Sequence, residues 1–466
     1  MTVRETDVVV IGAGPVGENV ADRAVRGGLK AVIVEAELVG GECSYWACMP
    51  SKALLRPGSA LRAAQAVAGV TGGALDPAAI LRRRDGFTSH WDDSGQVEWL
   101  DSAGIELVRG RGRVAGKKRV VVDTADGPVE LVARHAVVIA TGSDARVPGI
   151  PGLREAKPWT SREATSAEQI PRRLAVLGGG VVAVEVATMF HDLGSEVTLL
   201  SRSSLLRSLE PFAGEAVRDA LRERGATVRD DASPDSVTRE EDGSVTLRIG
   251  DETLVVDEVV AATGREARLR DLGVDELVGA NGLIPVDDTL RVTGSDWLYV
   301  VGDAAGRVLL THQGKYEARA AGDVIAARAK GEPIDDAPWG AHVATADHAA
   351  VPQVVFSDPE VASVGLTAAE AERRGLRTRV VDYDLGRVAG AGLIADDYAG
   401  TARAVIDEDR GVLVGLTLVG PGVGEQIHAA TIAVAGEVPL SRLWHAVPSY
   451  PTLSEFWLRL LEGYGL

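Results

Sequence analysis

Cysteine is nearly absent: the chain of 466 residues has two, Cys43 and Cys48. Two thiols in so long a chain are no disulfide framework, which excludes the stapled secreted folds. Long apolar runs are missing as well. The longest candidate, Leu174 to Phe190, is broken by three glycines and Glu185, and a bilayer span needs roughly 18 apolar residues without such breaks. Positive charge is scarce too. Acidic residues number 67 against 49 basic ones, for a formal net charge of −18, so a nucleic-acid backbone or an anionic membrane would be repelled. Met1 to Asp7 places Arg4, Glu5 and Asp7 ahead of a short apolar run ending at Gly12, which reads as neither a signal nor a transit peptide. The expectation is a soluble, cytoplasmic protein with no nucleic-acid or membrane partner and no metal site.

What is present is a globular composition, 45% hydrophobic and 25% charged, and a length that suggests about three domains. Two segments resemble each other. Asp7-Val-Val-Val-Ile-Gly12-Ala-Gly14-Pro-Val-Gly17 leads through a helix-like stretch to Ala31-Val-Ile-Val-Glu35, and Leu174-Ala-Val-Leu-Gly178-Gly-Gly180-Val-Val-Ala183-Val-Glu185 leads likewise to Glu196 through Arg202. Each reads as strand, glycine turn, helix of about four turns and second strand. Each is followed by a strand ending in Ala-Thr-Gly, Val137 to Gly142 and Val259 to Arg265. A repeat of this length means two nucleotide-binding units. Farther on, Trp297 to Asp303 reads as a strand ending in Gly302-Asp303, followed by an Ala-rich helix. From about Thr345, the strand-like segments Val351 to Phe356, Thr378 to Asp384, Gly400 to Asp407 and Val412 to Val419 give an α+β pattern without a glycine fingerprint. Ser233 to Asp242 and Ala115 to Lys118 read as surface turns.

In the first turn, Gly12 permits the tight bend, Gly14 lets backbone approach a pyrophosphate, and Gly17 allows close helix–sheet packing. The helix N-terminus offers unpaired N–H groups to phosphate, and Glu35 can accept from a ribose diol. The alternative is a glycine turn without a ligand. In the second turn Ala183 stands for the third glycine and Ser201 for the carboxylate, with Arg202 next and Arg207 five further on. Arginines pair with a 2′-phosphate that a carboxylate would repel, which points to NADPH rather than NADH. The alternative for Arg202 and Arg207 is two solvated charges.

The cysteines lie in Gly40-Gly41-Glu42-Cys43-Ser44-Tyr45-Trp46-Ala47-Cys48-Met49-Pro50-Ser51-Lys52. Five residues of regular helix rise roughly 7.5 Å, beyond the ~7 Å limit for the Cα atoms of a disulfide. A bond between them requires a distorted first turn and would be reducible. Redox work accounts for such a pair better than two unrelated buried thiols.

Taken together, these motifs with Ala140-Thr141-Gly142, Gly302-Asp303 and Asp358-Pro359-Glu360-Val361-Ala362-Ser363-Val364-Gly365 resemble the FAD-dependent pyridine nucleotide-disulfide oxidoreductases: dihydrolipoamide dehydrogenase, glutathione reductase, mercuric reductase and soluble transhydrogenase. The resemblance runs along essentially the whole chain. It implies an α/β fold with two Rossmann-like dinucleotide-binding domains and a C-terminal α+β dimerisation domain. The expected division is FAD-binding over 1–154 and 282–344, NAD(P)-binding over 155–281, and dimerisation over 345–466. It implies FAD along Gly12, Gly14, Gly17, Glu35, Gly41, Thr141, Gly142, Gly302 and Asp303, and NADPH at Gly178, Gly180, Ala183, Arg202, Arg207 and Gly264. Cys48 would face the flavin, Cys43 would meet substrate, and Lys52 would lie by the flavin N5 paired with Glu185. A homodimer is expected.

One departure bears on the chemistry. The family's reductases carry His-Pro-Thr-x-x-Glu near the C-terminus as acid/base; here Tyr450-Pro451-Thr452-Leu453-Ser454-Glu455 puts tyrosine at the histidine position and keeps Glu455. A phenol of pKa about 10 does not shuttle protons at neutral pH as imidazole does. His445 does not align with that position. The families of soluble transhydrogenases and mercuric reductases also show this tyrosine, but the former tend to lack the second cysteine. The latter need a further cysteine pair, and this chain ends Glu462 to Leu466 without one. Between the thiols, Tyr45 and Trp46 either pack internally or narrow access to Cys43. The leading expectation is electron transfer from NADPH through flavin and Cys43–Cys48 to a small disulfide or dithiol. The second is direct transfer from flavin to a quinone, a metal ion or another nicotinamide.

Overall fold

The computed structural model describes residues 2–466. The chain divides into two compact units, each made of three stretches. One holds the chain up to Pro50, Asp85–Ala145 and Arg265–Asp347; the other holds Ser51–Arg84, Arg146–Gly264 and His348–Leu466.

The first unit is built on a sheet in the order Glu106–Arg109, Ala31–Glu35, Thr2–Ile11, Gly127–Ile139, Arg119–Thr124, Arg111–Val114, with Leu298–Val300 also paired to Gly127–Ile139. The pairings around Thr2–Ile11 are parallel, with Val8 opposite Ala31 and Ile11 opposite Val34. Val8, Val9 and Val10 are fully buried, the continuous apolar run expected of a strand covered on both faces. Val8 and Val10 enter one core with the helices Pro15–Arg26 and Thr311–Lys330, while Val9 and Ile11 enter a second.

The second unit contains a parallel sheet in the order Thr227–Arg229, Glu196–Leu200, Arg173–Leu177, Glu258–Ala261. It also holds an antiparallel sheet in the order Pro352–Val355, Val361–Gly365, Val412–Val419, Thr401–Asp407, Thr378–Asp384. Every residue of Val412–Val419 is buried.

The two fingerprint helices, Pro15–Arg26 and Val181–Asp192, have 12 residues each, a little over three turns rather than four. Each stops where the chain reverses at a left-handed glycine, Gly28 (φ 86°) and Gly194 (φ 99°). Ala115 to Lys118 is a turn, closed by Ala115 N–H donating to the Arg119 carbonyl at 2.8 Å. Ser233 to Asp242 is not simply a turn. It contains the strand Ser236–Arg239, paired with Val245–Ile249. Of the strand's four residues only Val237 is buried; it joins a core with Leu153 and Leu247, and one such position in a polar strand leaves no periodic signal. Among the described residues, no helix is long and apolar enough to cross a membrane.

Candidate functional site

The first glycine turn follows Ile11. Gly12 takes φ 105°, and a Cβ there would meet the Ala140 carbonyl oxygen at 2.4 Å; one on Gly17 would meet the Gly12 carbonyl oxygen at 1.9 Å. Gly14 is different: a Cβ there meets nothing within 4 Å, while Gly41 (φ 58°) packs against it so closely that a Cβ on Gly41 would lie 2.8 Å from the Gly14 Cα. Gly14 caps the helix Pro15–Arg26 without a side-chain hydrogen bond, which leaves the helix's first N–H groups available to an anion. Glu35 accepts from Ala13 N–H through Oε2 and from Glu37 N–H through Oε1, both at 2.7 Å, so it braces the turn. In the same helical turn Glu18 has one buried carboxylate oxygen without a partner, and burial pushes it up to about 7. Open space, uncapped donors and an orphaned acceptor fit a dinucleotide bearing phosphate and hydroxyl groups.

On the same unit, Gly142 (φ 74°) also leaves its Cβ position open. Thr141 Oγ1 donates to the Arg268 carbonyl at 2.6 Å. Asp303 Oδ2 accepts from Ser143 Oγ at 2.5 Å, and Arg265 Nε donates to that same hydroxyl at 2.6 Å. Gly302 (φ 63°) gives its N–H to Glu317 Oε2 at 2.6 Å. Glu317 is fully buried. Desolvation first, then the charge of Asp347, pushes it from 4.5 up to about 8. A carboxyl raised in the folded state holds its proton where the unfolded chain has lost it, so its stabilisation falls away as pH rises across that window. The thermal midpoint of the protein is expected to fall between about pH 4.5 and 8. Glu317→Gln is expected to flatten that fall; an unchanged slope in calorimetry would reject the assignment.

The cysteines sit at a helix break. The helix Gly41–Tyr45 ends at Trp46 (φ −137°, ψ 0°), and a new helix, Cys48–Gln65, begins at the second cysteine. The interruption lies between the thiols and overcomes the axial separation that a regular helix would impose. Both cysteines are half-buried thiols. The Cys43 thiol is pushed up, first by its hydrogen bond to Cys48 and then by burial, with Thr311 and the Lys315 charge acting the other way. Cys48 Sγ also lies 3.3 Å from Thr311 Oγ1. Thr311 opens the helix Thr311–Lys330, and Lys315 follows one turn later. Neither residue was singled out by sequence reasoning; the signal was a hydroxyl and a cation one turn apart at the start of the helix after Gly302-Asp303. Tyr45 is 2% exposed and donates its hydroxyl to the Val39 carbonyl at 3.0 Å, so it packs internally.

In the second unit, Lys52 Nζ lies 2.7 Å from Glu185 Oε2. Glu185 is buried, and its Oε1 accepts from Phe356 N–H at 3.0 Å. The Phe356 ring centroid is 4.8 Å from Lys52 Nζ. Phe356 therefore holds both partners, a role the sequence did not disclose.

The second glycine turn repeats the first. Gly178 takes φ 133°, with the Ala262 carbonyl oxygen 2.2 Å from its Cβ position, and the Cβ position of Gly180 is open. Gly180 caps its helix without a side-chain bond. Ala183 is fully buried in the core. A cavity of about 650 Å³ opens over this turn, lined among others by Gly178, Gly180, Ser201, Arg202, Arg207 and Gly264. Ser201 Oγ donates to the Ser203 carbonyl at 2.6 Å. Arg202 and Arg207 are exposed on the cavity wall. Between them Leu206 adopts φ 49° and donates its N–H to the Gly179 carbonyl at 2.7 Å, folding the arginine loop onto the glycine turn.

Among the described residues no hydrogen bond joins Tyr450 to Glu455. Tyr450 is 77% exposed, and Glu455 has a buried Oε2 without a hydrogen-bond partner. The described residues include no group of three or more His, Cys, Asp or Glu arranged to hold a metal ion.

Residues 6–322 match the family described as pyridine nucleotide-disulphide oxidoreductase, and residues 351–460 match the dimerisation domain of that family. Mercuric reductase of Acidithiobacillus ferrooxidans is 32% identical over 97% of this chain and 81% of its own length. Dihydrolipoyl dehydrogenase of Chlamydia trachomatis is 30% identical over 97% of this chain and 95% of its own length. Among solved structures, the Cu(II) complex of the HOCl-induced flavoprotein disulfide reductase RclA from Escherichia coli superimposes with a TM-score of 0.84, at 22% identity, over 98% of this chain and 99% of that one. The latter is a likeness of fold.

Proposed function

The chain belongs to the pyridine nucleotide-disulphide oxidoreductase family, flavoproteins that use FAD and a pyridine nucleotide, and on that premise we propose a homodimeric, cytoplasmic, NADPH-preferring reductase of a small disulfide or oxidant of a dihydrolipoamide-like dithiol. The observation that carries the reading is the helix break that falls between Cys43 and Cys48, with Thr311 Oγ1 3.3 Å from the Cys48 sulfur. Its domains are FAD-binding over 1–154 and 282–344, NADP-binding over 155–281 and dimerisation over 345–466.

FAD bound along these residues would supply a hydride acceptor for the nicotinamide and a two-electron donor for a disulfide. Gly12, Gly14, Gly17 and Gly41 let backbone close on its phosphates, Glu35 braces that turn, and Thr141, Gly142, Gly302 and Asp303 line the remainder. Gly178, Gly180, Ala183 and Gly264 form the NADPH turn, with Arg202 and Arg207 for the 2′-phosphate. As the sulfur–sulfur bond opens, the electron pair reduces both sulfurs and the one proton left from the transferred hydride goes to Cys43. Cys43 keeps it as a thiol and donates to the Cys48 thiolate, which Thr311 also contacts. Lys52, held by Glu185 and Phe356, would supply a fixed positive charge to the flavin.

A second reading sends electrons directly to a quinone, a metal ion or another nicotinamide. The exposed Tyr450, unpaired with Glu455, favours it, because one chain then holds no assembled acid/base at the family's histidine position. An anaerobic NADPH titration, followed in the visible spectrum with free thiols counted, separates the two. Appearance of two thiols with a long-wavelength charge-transfer band and little bleaching is the expected result. Bleaching without new thiols would assign the cysteines no part and support the second reading.

A further inference from the structure

We infer that Tyr45 is a positioning residue for the thiol pair: its buried hydroxyl ties the end of the Cys43 turn back to the loop that starts it, and so fixes Cys43 within hydrogen-bond reach of Cys48. The inference rests on the redox reading of the two cysteines.

The helix Gly41–Tyr45 has five residues, far too few to hold itself by backbone bonds alone. Its entrance is fixed by Gly40, which takes φ 108° and donates its N–H to the Ala13 carbonyl at 2.7 Å. Its exit is fixed by Tyr45, whose hydroxyl reaches the Val39 carbonyl at 3.0 Å. The ring lies across Gly40, where an added Cβ would come within 3.1 Å of Tyr45 Cε2. Val39 is itself held on its other side, its N–H donating to Asp93 Oδ2 at 2.7 Å. Arg109 Nη2 donates to Asp93 at 2.5 Å, and its Nη1 donates to the Glu37 carbonyl at 2.6 Å. Residues 39 to 45 thus close on themselves against an anchored strand end.

Helical geometry completes the argument. Residues two apart on a helix point about 200° away from each other. With Tyr45 anchored at the rear of the turn, Cys43 presents its sulfur at the front. The chain breaks immediately after Tyr45, which lets Cys48 approach. The groups facing Cys43 are Cys48, Thr311 and Lys315, and those acting on Tyr45 are Asp93, Glu18, Asp92 and Arg109. Without the tie the short turn is free to loosen, and the hydrogen bond from Cys43 to Cys48 weakens. Cys43 then loses its proton more easily, and the Cys48 thiolate, less well solvated, takes one up more easily.

The test uses the FAD-loaded protein, reduced anaerobically, and compares it with Tyr45→Phe, which keeps the ring and removes the hydroxyl. The pH midpoint for Cys43 alkylation by iodoacetamide, read by mass spectrometry, is expected to fall by about one pH unit. The midpoint of the thiolate–flavin band is expected to rise by about as much. A residue that served packing alone is replaced by phenylalanine without moving either midpoint, and that outcome overturns the inference. Should Tyr45→Phe fail to fold with FAD, Asp93→Ala frees Val39 from its other side and carries the same two expectations. A missing thiolate band in the unaltered protein would count against the redox reading itself, while Cys43 alkylation would still decide the role of Tyr45.

Discussion

Cys48→Ser is expected to reduce NADPH-driven disulfide turnover by on the order of 10³-fold or more, while FAD stays bound. A serine hydroxyl keeps the contact with Thr311 but cannot form the second half of a disulfide or carry the negative charge of a thiolate at neutral pH. The same variant tests the electrostatics of its partner. Because Cys43 is pushed up first by its hydrogen bond to Cys48 and then by burial, removal of the sulfur is expected to lower the pH at which Cys43 alkylates. NADPH oxidation with a quinone should persist, since that route bypasses the sulfurs. Anaerobic steady-state assays with both acceptors check the two activities and alkylation of Cys43 against pH checks the third point, and a Cys48→Ser protein with full disulfide turnover would remove the thiols from the electron path.

Replacing Arg202 and Arg207 together by alanine is expected to reduce the ratio of kcat/KM for NADPH over NADH by on the order of 10²-fold, almost entirely through NADPH. Both guanidinium groups stand on the wall of the cavity over Gly178–Gly180, and neither makes an ion pair among the described residues. They are consequently available to a phosphate without first breaking an internal bond. Ser201, in place of a carboxylate, adds no repulsion, because its hydroxyl is turned to the Ser203 carbonyl. Kinetics with the two nucleotides decide the matter. A ratio that stays where it was in the unaltered protein would reject pairing with the 2′-phosphate.

The dinucleotide turns were legible in the sequence because backbone geometry alone demands glycine there. Gly12 and Gly178 sit at φ 105° and 133° against a neighbouring carbonyl, and no other residue type satisfies both conditions. The break between the cysteines was also readable, because a regular helix holds residues five apart too far for a disulfide. Thr311, Lys315 and Phe356 were not. They reach the thiols and Lys52 from segments hundreds of positions away, and a single threonine, lysine or phenylalanine has no local pattern that marks such a contact. The strand Ser236–Arg239 escaped for a related reason, since only Val237 of its four residues is buried. Tyr45 could be noticed as bulky but not placed, because its partner is a backbone carbonyl, which every residue possesses.

The interleaving of the two units has a consequence for biosynthesis. Each is assembled from three separate stretches, and the first is completed only by Arg265–Asp347, the second only by His348–Leu466. A ribosome delivering the chain from its N-terminus therefore releases Thr2–Ile11 with its parallel partner Gly127–Ile139 still unsynthesised, and Leu298–Val300 joins much later. Such distant pairings fold slowly and leave apolar strands such as Val8 to Val10 exposed in the interim. Any contiguous fragment that contains one unit whole also contains pieces of the other. A nascent chain halted before residue 347 has neither unit complete, and is a natural client for chaperones that shield unpaired strands.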